Sequence, residues 1–279
     1  MLALLAIAAY AFTPVTVPNA VIVDSFGPND KGQVVLVTSI GSGIWEGGGF
    51  TLLPPPPNGV TQVIATGINN AGTVVGAVGF SDGHEEGFVL IGSTYKIFAR
   101  PGWANTEARF VASSELVTGW NFPNDSGPSA GFVYDPATDT FTDATPAGSV
   151  STIVQGMNKF GVISGNGVDP TLGDYGVIWQ LGEFAQGKRT VPFLERFTVA
   201  NEAGRARGIN DAGLVVGYLS SGKAGFVGNP LLGFRLLHVP GSTGGSKTVC
   251  EGINNLGQVI CASYTADFVE QVFLGTPQP

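Results

Sequence analysis

The sequence is poor in several of the residue types that carry chemistry. Its 279 residues include only two histidines and two cysteines, too few for a metal cluster built from thiolate and imidazole ligands. Charged residues make up 12% of the chain, against roughly 25% in an average soluble domain. Lysine and arginine number 13 and the net charge is −8, which argues against nucleic-acid binding. We predict no metal, no cofactor and no nucleic-acid partner.

Long apolar runs are also absent, so no transmembrane segment is expected. The run Leu2–Ala11 has ten residues, whereas a membrane-spanning helix needs about 20. Its length and its A-x-A ending, Ala9-Tyr10-Ala11, are typical of a secretory signal peptide. We therefore predict a signal peptide over residues 1–11 and a single domain over residues 12–279, secreted, periplasmic or at the cell surface. A buried N-terminal strand or short helix stays open, because no basic residue precedes the run.

What the chain has in excess is glycine and proline. It contains 42 Gly and 18 Pro, while hydrophobic residues still make up 43% of the sequence. Abundant Val, Ile, Thr and Phe between turn-forming residues predict an all-β protein with many short strands.

One motif recurs along the whole chain. Its clearest copies read G-I-N-N-A-G-T-V-V-G from Gly67 and G-I-N-D-A-G-L-V-V-G from Gly208. Looser copies surround Gly32, Gly161 and Gly257, and a degenerate copy has Glu115 at the glycine position. The six anchors, at 32, 72, 115, 161, 213 and 257, are 40 to 52 residues apart. A period of this length with several strands per unit predicts propeller blades.

The motif itself has the chemistry of a tight turn. An Asn side chain can bond its own backbone two residues on, and Gly adopts positive φ without a Cβ clash. Three-residue hairpin loops of this kind end in a glycine bulge. We interpret the Asn and Gly residues as turn formers; a polar ring of ligands is the alternative.

The two ends of the chain complement each other. The last repeat stops after Gln271–Leu274, its third strand, while Phe12–Pro18 resembles the fourth strand Phe234–Pro240. The N-terminal strand can therefore complete the last blade and remove the open sheet edges. We predict a six-bladed β-propeller of four-stranded repeats of about 45 residues, closed by the N-terminal strand. A stacked solenoid is the main alternative.

The pattern G-I-N-[ND]-x-G-x-V-V-G followed by G-F-[VL] resembles the bacterial extracellular family known as HAF repeats. The resemblance covers essentially residues 12–279, although Gly-Phe-Val stands in place of the His-Ala-Phe triplet. It implies an exported, surface-associated protein and brings no catalytic residues with it.

The cysteines, Cys250 and Cys261, flank the turn of the last repeat. If Ile253 pairs with Gln258, the two cysteines face each other across the hairpin, near disulfide range. A shift by one residue would make them diagonal neighbours. A disulfide and a pair of small buried side chains are both compatible with the sequence.

Aligned repeats also predict what lines the propeller axis. Because the first strand of each blade faces the central channel, the residues before Gly-Ile-Asn should meet there; they are Phe26, Thr66, Arg109, Gln155, Arg207 and Glu251. The preceding residues should pack between blades, because side chains alternate along a strand; they are Ser25, Ala65, Ala108, Val154, Ala206 and Cys250.

Five of the six axial residues are polar, and we predict that they bind a ligand: Thr66, Arg109, Gln155, Arg207 and Glu251. Arginine can bond an anionic group bidentately. The alternative is a water-filled channel in which the charges satisfy one another.

No catalytic set can be assembled from spacing, since His84 and His238 lie in different repeats and no G-x-S-x-G motif is present. We therefore predict a monomeric, non-enzymatic propeller that binds a glycan, peptide or protein. The alternative is a polysaccharide hydrolase or lyase using an axial carboxylate: Asp24, Glu107 or Glu251.

Overall fold

The computed structural model describes residues 8–171, 173–181, 193–242, 247–264 and 270–279, in which all the regular structure is β-strand. The strands of the first three repeats are β2 (Ile22–Phe26), β3 (Val34–Thr38), β4 (Gly41–Glu46), β5 (Gly49–Leu52), β6 (Val60–Ile68), β7 (Val74–Phe80), β8 (Glu85–Ile91), β9 (Thr94–Phe98), β10 (Asn105–Val111), β11 (Val117–Phe122), β12 (Ala130–Asp135) and β13 (Thr140–Asp143). Those of the last three repeats are β14 (Ser151–Met157), β15 (Val162–Asp169), β16 (Gly173–Gln180), β17 (Phe193–Val199), β18 (Glu202–Ile209), β19 (Val215–Leu219), β20 (Gly225–Asn229), β21 (Gly233–Leu237), β22 (Thr248–Ile253), β23 (Val259–Tyr264) and β24 (Glu270–Pro277). The N-terminal strand is β1 (Tyr10–Val15).

The strands form antiparallel sheets arranged as a β-propeller. Four sheets have four strands each, in the orders β2-β3-β4-β5, β6-β7-β8-β9, β10-β11-β12-β13 and β1-β24-β23-β22. The last of these confirms that the N-terminal strand completes the sixth repeat, since Phe12 pairs with Gly275 and Val15 with Val272. The first strand of every repeat lies at the axis, and the edge that the last repeat would otherwise expose is covered.

The prediction of six separate four-stranded blades needs a correction. Only four blades are separate sheets; the fourth and fifth repeats form one eight-stranded sheet, β14 to β21 in sequence order. The cause is the turn between β17 and β18, where Ala200 and Asn201 both have positive φ, 50° and 65°. Such a turn suits a two-residue hairpin, and the ladder continues through the pairs Thr198↔Ala203 and Val199↔Glu202.

The N-x-x-G turns have the predicted geometry. In the second repeat, the side-chain Oδ1 of Asn69 accepts bonds from the backbone N–H groups of Ala71 and Thr73, and Gly72 has φ +89°. Glu115 takes the glycine position of the third repeat at φ +65°. Turn formation is therefore confirmed as one function of these residues.

The same asparagines also join neighbouring repeats, which the sequence did not indicate. The Nδ2 of Asn29 donates to the carbonyl of Asn69 at 2.9 Å, and the Nδ2 of Asn254, in the last repeat, donates back to the carbonyl of Asn29 at 2.9 Å. Three further bonds of this type continue around the axis: Asn69 to Ala112, Asn158 to Asn210 and Asn210 to Asn254. The ring lacks one link, because the third repeat has Ala112 where the others have Asn.

Restoring that link should stabilise the protein. In Ala112→Asn, the new Nδ2 can donate to the carbonyl of Asn158, and we expect the free energy of unfolding to rise by about 1 kcal/mol. Ala112→Asp is the matched control, because its carboxylate can cap the turn but has no N–H for the neighbouring repeat. Denaturant unfolding measures both; equal stability of the two variants would contradict the inter-repeat function of the amide.

The hydrophobic core is divided among the junctions between repeats. Each of six buried clusters combines side chains of two neighbouring repeats, and one of them joins Val34 and Leu36 of the first repeat to Ile260 and Val272 of the last. The residues predicted to pack between blades are confirmed as fully buried: Ser25, Ala65, Ala108, Val154, Ala206 and Cys250. Each repeat thus depends on its neighbours for burial.

Cys250 and Cys261 form a disulfide and face each other with Cα atoms 3.9 Å apart. The cysteines are opposed although the register assumed for that opposition does not hold, because Ile253 pairs with Val259 rather than with Gln258. A bulge between Cys250 and Gly252 absorbs the extra residue and brings the cysteines back into opposition.

The predicted signal peptide stays a prediction. Residues 1–7 lie outside the described residues, and β1 includes Tyr10 and Ala11, the last two residues of the predicted peptide. Within the described ranges, no helix has the length and apolar character needed to cross a membrane.

Candidate functional site

The six predicted axial residues meet. All of them line one cavity of about 30 Å³ at the centre of the propeller; we call this set the axial layer: Phe26, Thr66, Arg109, Gln155, Arg207 and Glu251. The alignment of repeats was therefore sufficient to find residues that are up to 225 positions apart in sequence.

A β-bulge directs most of these side chains toward the axis. In five repeats the pairing of the first two strands skips one residue, which is the axial residue: Thr66, Arg109, Gln155, Arg207 or Glu251. Bulges of this kind re-aim a side chain. In the first repeat the skipped residue is Val23 instead, and Phe26 pairs with Val35.

Within the axial layer the side chains largely satisfy one another. Arg109 donates from Nε to Oε1 of Gln155 at 3.2 Å, and its guanidinium lies 5.2 Å from the ring centre of Phe26 across the channel. Thr66 donates to the carbonyl of Ala108 at 2.7 Å. The remaining cavity has room for only a few water molecules. The axial layer is therefore a floor across the channel, and a larger ligand must lie above or below it.

Charged groups collect on one side of this floor, where the first strands begin; we call this side the loop face. Asp24 and Glu270 lie there, next to Arg207 and Glu251 of the axial layer; we call these four residues, at the junction of the first, fifth and sixth repeats, the junction cluster. Ser25 connects two of them, since its N–H donates to Asp24 at 2.9 Å and its hydroxyl donates to Glu270 at 3.0 Å.

The junction cluster contains more carboxylates than its cations can neutralise. Arg207 pairs with Glu251, Nε to Oε2 at 3.4 Å, and donates to the hydroxyl of Tyr218 at 3.0 Å. Burial opposes the charge of Arg207, but Glu251, Tyr218 and Asp24 raise its pKa overall.

The pKa values of Asp24 and Glu270 are raised, whereas the pKa of an ordinary ion-paired carboxylate is lowered. Burial, and then the charge of Glu251, raise the pKa of Asp24 to about 7, although Arg109 and Arg207 oppose this. Burial, and then the charge of Asp24, raise the pKa of Glu270 to about 8. Both groups therefore titrate near neutral pH, where general acids and bases of enzymes commonly do.

Two atoms of the junction cluster are buried and make no hydrogen bond: Oε2 of Glu270, and Nε of Arg207, which faces Oε2 of Glu251 only as an ion pair at 3.4 Å. Glu270 is only 6% exposed. An orphaned buried acceptor costs about 1–3 kcal/mol, so Oε2 of Glu270 has hydrogen-bonding capacity that a water molecule or a ligand group can fill.

Sequence reasoning missed Glu270. It lies at the start of β24, the third strand of its repeat, and the alignment considered only first strands. Its pairing with Tyr264 across β23 and β24 places it at the loop face. Its being the one charged residue of β24 was the available signal.

The third repeat adds a second set of polar contacts at the loop face. Glu107, one of the candidates for a catalytic carboxylate, accepts bonds from Arg109 at 2.8 Å and from the indole N–H of Trp120 at 3.0 Å. Glu107 and Arg109 are mostly buried, with side chains 13% and 15% exposed.

The remaining candidates do not converge. His84 contacts Asp82 and stacks on Phe80, with ring centres 4.4 Å apart, in the loop between β7 and β8, while His238 is exposed in another repeat. Among the residues that the structure describes, no three His, Cys, Asp or Glu side chains are arranged to hold a metal ion.

No family model and no curated protein matches this chain. Solved structures do match its fold: a gluconolactonase of Xanthomonas campestris, at 9% identity and TM-score 0.57, with 98% of this chain and 99% of that one covered. A catalytically inactive virginiamycin B lyase of Staphylococcus aureus, solved with quinupristin, matches at 11% identity and TM-score 0.52, covering 97% and 100%. TolB of Acinetobacter baumannii matches at 11% and 0.50, with 91% of this chain covered but only 55% of TolB. At these identities the similarity establishes a β-propeller fold and nothing finer.

Proposed function

We propose that this protein is a binding propeller that takes a polar, hydroxyl-rich ligand, a glycan, at the loop face of its axis. The observation that carries the proposal is the junction cluster, in which the buried Oε2 of Glu270 has no hydrogen-bond partner. A sugar hydroxyl can donate to this oxygen and can accept from a neighbouring donor at the same time, because it has both a donor and lone pairs.

The charge of the site favours a neutral ligand over an anionic one. Glu251 and Asp24 lie near Arg207, Glu270 lies near Asp24 and Glu251, and Glu107 already pairs with Arg109. An anion would meet this excess of carboxylates, whereas neutral hydroxyl groups bond carboxylates and arginines alike.

A glycan array followed by titration of each hit tests this function. Glu251→Gln and Arg207→Ala should each weaken binding about ten-fold or more, because each removes a charged hydrogen-bonding group. Arg196→Ala is the matched control: it breaks the ion pair with Asp169, at 2.7 Å, on an outer strand. Binding only to peptides or proteins, or equal binding by all three variants, would overturn the proposal.

One observation favours a hydrolase or lyase as the second candidate. Asp24 and Glu270 have pKa values of about 7 and 8, beside a third carboxylate, Glu251, that is paired with Arg207. A protonated acid next to an ionised carboxylate can supply general acid and base catalysis. Turnover of an array hit that is abolished in Glu251→Gln and in Asp24→Asn would make this the better description.

The proposal also covers the number of blades, the export, the oligomeric state and the family of the protein. We propose that the six repeats act as six blades, that the protein is exported and monomeric, and that it is a divergent HAF-repeat protein. The six junction cores, the disulfide and the G-I-N-x-x-G motif support these statements. Mass spectrometry of secreted protein, with its N-terminus mapped, tests the predicted cleavage after Ala11.

A further inference from the structure

The third repeat carries two stacked, partly exposed aromatic rings on β11, Trp120 and Phe122. Trp120 pairs with Glu107 across β10 and β11. The residues at the same position in the other repeats are smaller or lack an indole: Val37, Ala77, Asn166, Tyr218 and Ala262. Trp120 is partly exposed, as is Phe122, two residues on along the same strand face.

Contacts hold this surface in place. The rings of Trp120 and Phe122 stack with centres 4.4 Å apart and planes at 25°. The indole N–H of Trp120 bonds Glu107, which in turn bonds Arg109 of the axial layer. The aromatic surface is thus connected to the axis by a continuous chain of hydrogen bonds, and its orientation is fixed before any ligand arrives.

Polar groups surround the aromatic pair. Asn105 donates to Oδ1 of Asn124 at 3.0 Å and accepts from the backbone N–H of Glu85 at 2.9 Å. Burial and the nearby Glu107 raise the pKa of Glu85, so these two carboxylates are neighbours. Asn124 is exposed. The partly exposed aromatic pair therefore lies near amide and carboxylate groups contributed by the second and third repeats.

We propose that Trp120, Phe122, Glu107 and Asn124, called here the Trp120 platform, form a subsite for one pyranose ring of the glycan. The inference rests on the proposed glycan-binding function and adds where a sugar unit lies and how it is recognised. A pyranose ring has an apolar C–H face that can cover an indole and hydroxyl groups at its edge that can bond amides and carboxylates. The platform adjoins the axis through Arg109, so a glycan of several units can extend from the junction cluster to Trp120.

The experiment is a titration followed through the four tryptophan indole signals in ¹H–¹⁵N spectra. The probes are methyl pyranosides of glucose, galactose and mannose and the corresponding disaccharides, at millimolar concentration. We expect the Trp120 signal to shift on binding. The signals of Trp45 and Trp179, which are 8% and 2% exposed, serve as internal references and should stay in place.

Variants then separate the platform from the axial site. Trp120→Ala should weaken sugar binding about ten-fold, while Trp120→Phe should keep most of it, because a ring remains for stacking. Trp103→Ala is the control, since Trp103 is another partly exposed tryptophan, in the loop that precedes β10.

The results of these experiments separate the Trp120 platform from the proposed function. A sugar that binds with a Trp120 shift and loses affinity in Trp120→Ala supports the platform. A sugar whose binding needs Arg207 and Glu251 but neither shifts Trp120 nor is weakened in Trp120→Ala overturns the platform and leaves the proposed function intact. Wild-type protein that binds no sugar, in the array or in the titration, overturns both.

Discussion

Gly252→Ala is expected to lower the free energy of unfolding by about 3 kcal/mol or more. Gly252 belongs to the last repeat, and a Cβ built on it would overlap the carbonyl oxygen of Gly27 in the first repeat. The clash is with backbone, so relief requires the two ends of the propeller to separate. That separation would also strain the bond from Asn254 to the Asn29 carbonyl.

Equivalent glycines supply graded controls for this prediction. A Cβ on Gly156, at the same position of the fourth repeat, would lie 3.3 Å from a serine hydroxyl, and a Cβ on Gly79, in β7, would lie 3.6 Å from its nearest atom. We expect Gly156→Ala to be mild and Gly79→Ala to be close to neutral. If Gly252→Ala were no more destabilising than Gly156→Ala, the first and last repeats would not be in contact and the ring would be open.

Stability should also fall as pH rises from about 4 to about 8. The pKa values of Asp24 and Glu270 are about 7 and about 8 in the folded protein, above their ordinary values of 3.8 and 4.5. The folded state therefore binds protons more tightly than the unfolded state. The resulting contribution to the free energy of unfolding is fully present below the ordinary pKa values and is lost as pH rises through the pKa values of the folded protein.

Neutral substitutions should remove that pH dependence. In Asp24→Asn combined with Glu270→Gln, the acceptor oxygens for Ser25 remain but the two charges beside Glu251 are gone. Since one pH unit of pKa displacement corresponds to ~1.4 kcal/mol, we expect the double variant to be more stable than wild type at pH 8 by about 2 kcal/mol or more. The two proteins should converge near pH 4.

The matched control is Asp125→Asn combined with Glu46→Gln. It removes the same two charges from exposed carboxylates that also each accept one hydrogen bond. Denaturant unfolding at several pH values compares the two double variants. Two results together would refute the burial of these carboxylates. Wild-type stability would be constant or would increase between pH 5 and about 8, and the variant with Asp24→Asn and Glu270→Gln would be no more stable than wild type.

The sequence predicts this fold well at the positions where the same types of residue recur in successive repeats. The Asn and Gly of each turn, the small residues between blades and the axial layer all recur at one position of a repeat, so alignment alone brings them together. The closing strand follows from the resemblance of Phe12–Pro18 to Phe234–Pro240. These features depend on neighbours in sequence or on the symmetry of the repeat.

Features that break the symmetry could not be predicted in the same way. The short turn at Ala200 and Asn201 joins two repeats into one sheet, although their anchors have the longest spacing, 52 residues. Glu270 reaches the axis from a third strand and only acquires its environment from Asp24 and Ser25 at the other end of the chain. Such contacts depend on ring closure and leave no local pattern.

Residues from both ends of the chain form one buried carboxylate cluster at the loop face of the axis. The most direct test of this cluster is to follow side-chain carboxyl ¹³C shifts against pH. The variants Asp24→Asn and Glu270→Gln assign the signals. The structure predicts that these two carboxyl groups titrate near pH 7 and 8, respectively. Titration of both near pH 4, as for carboxyl groups in water, would show that the cluster does not form.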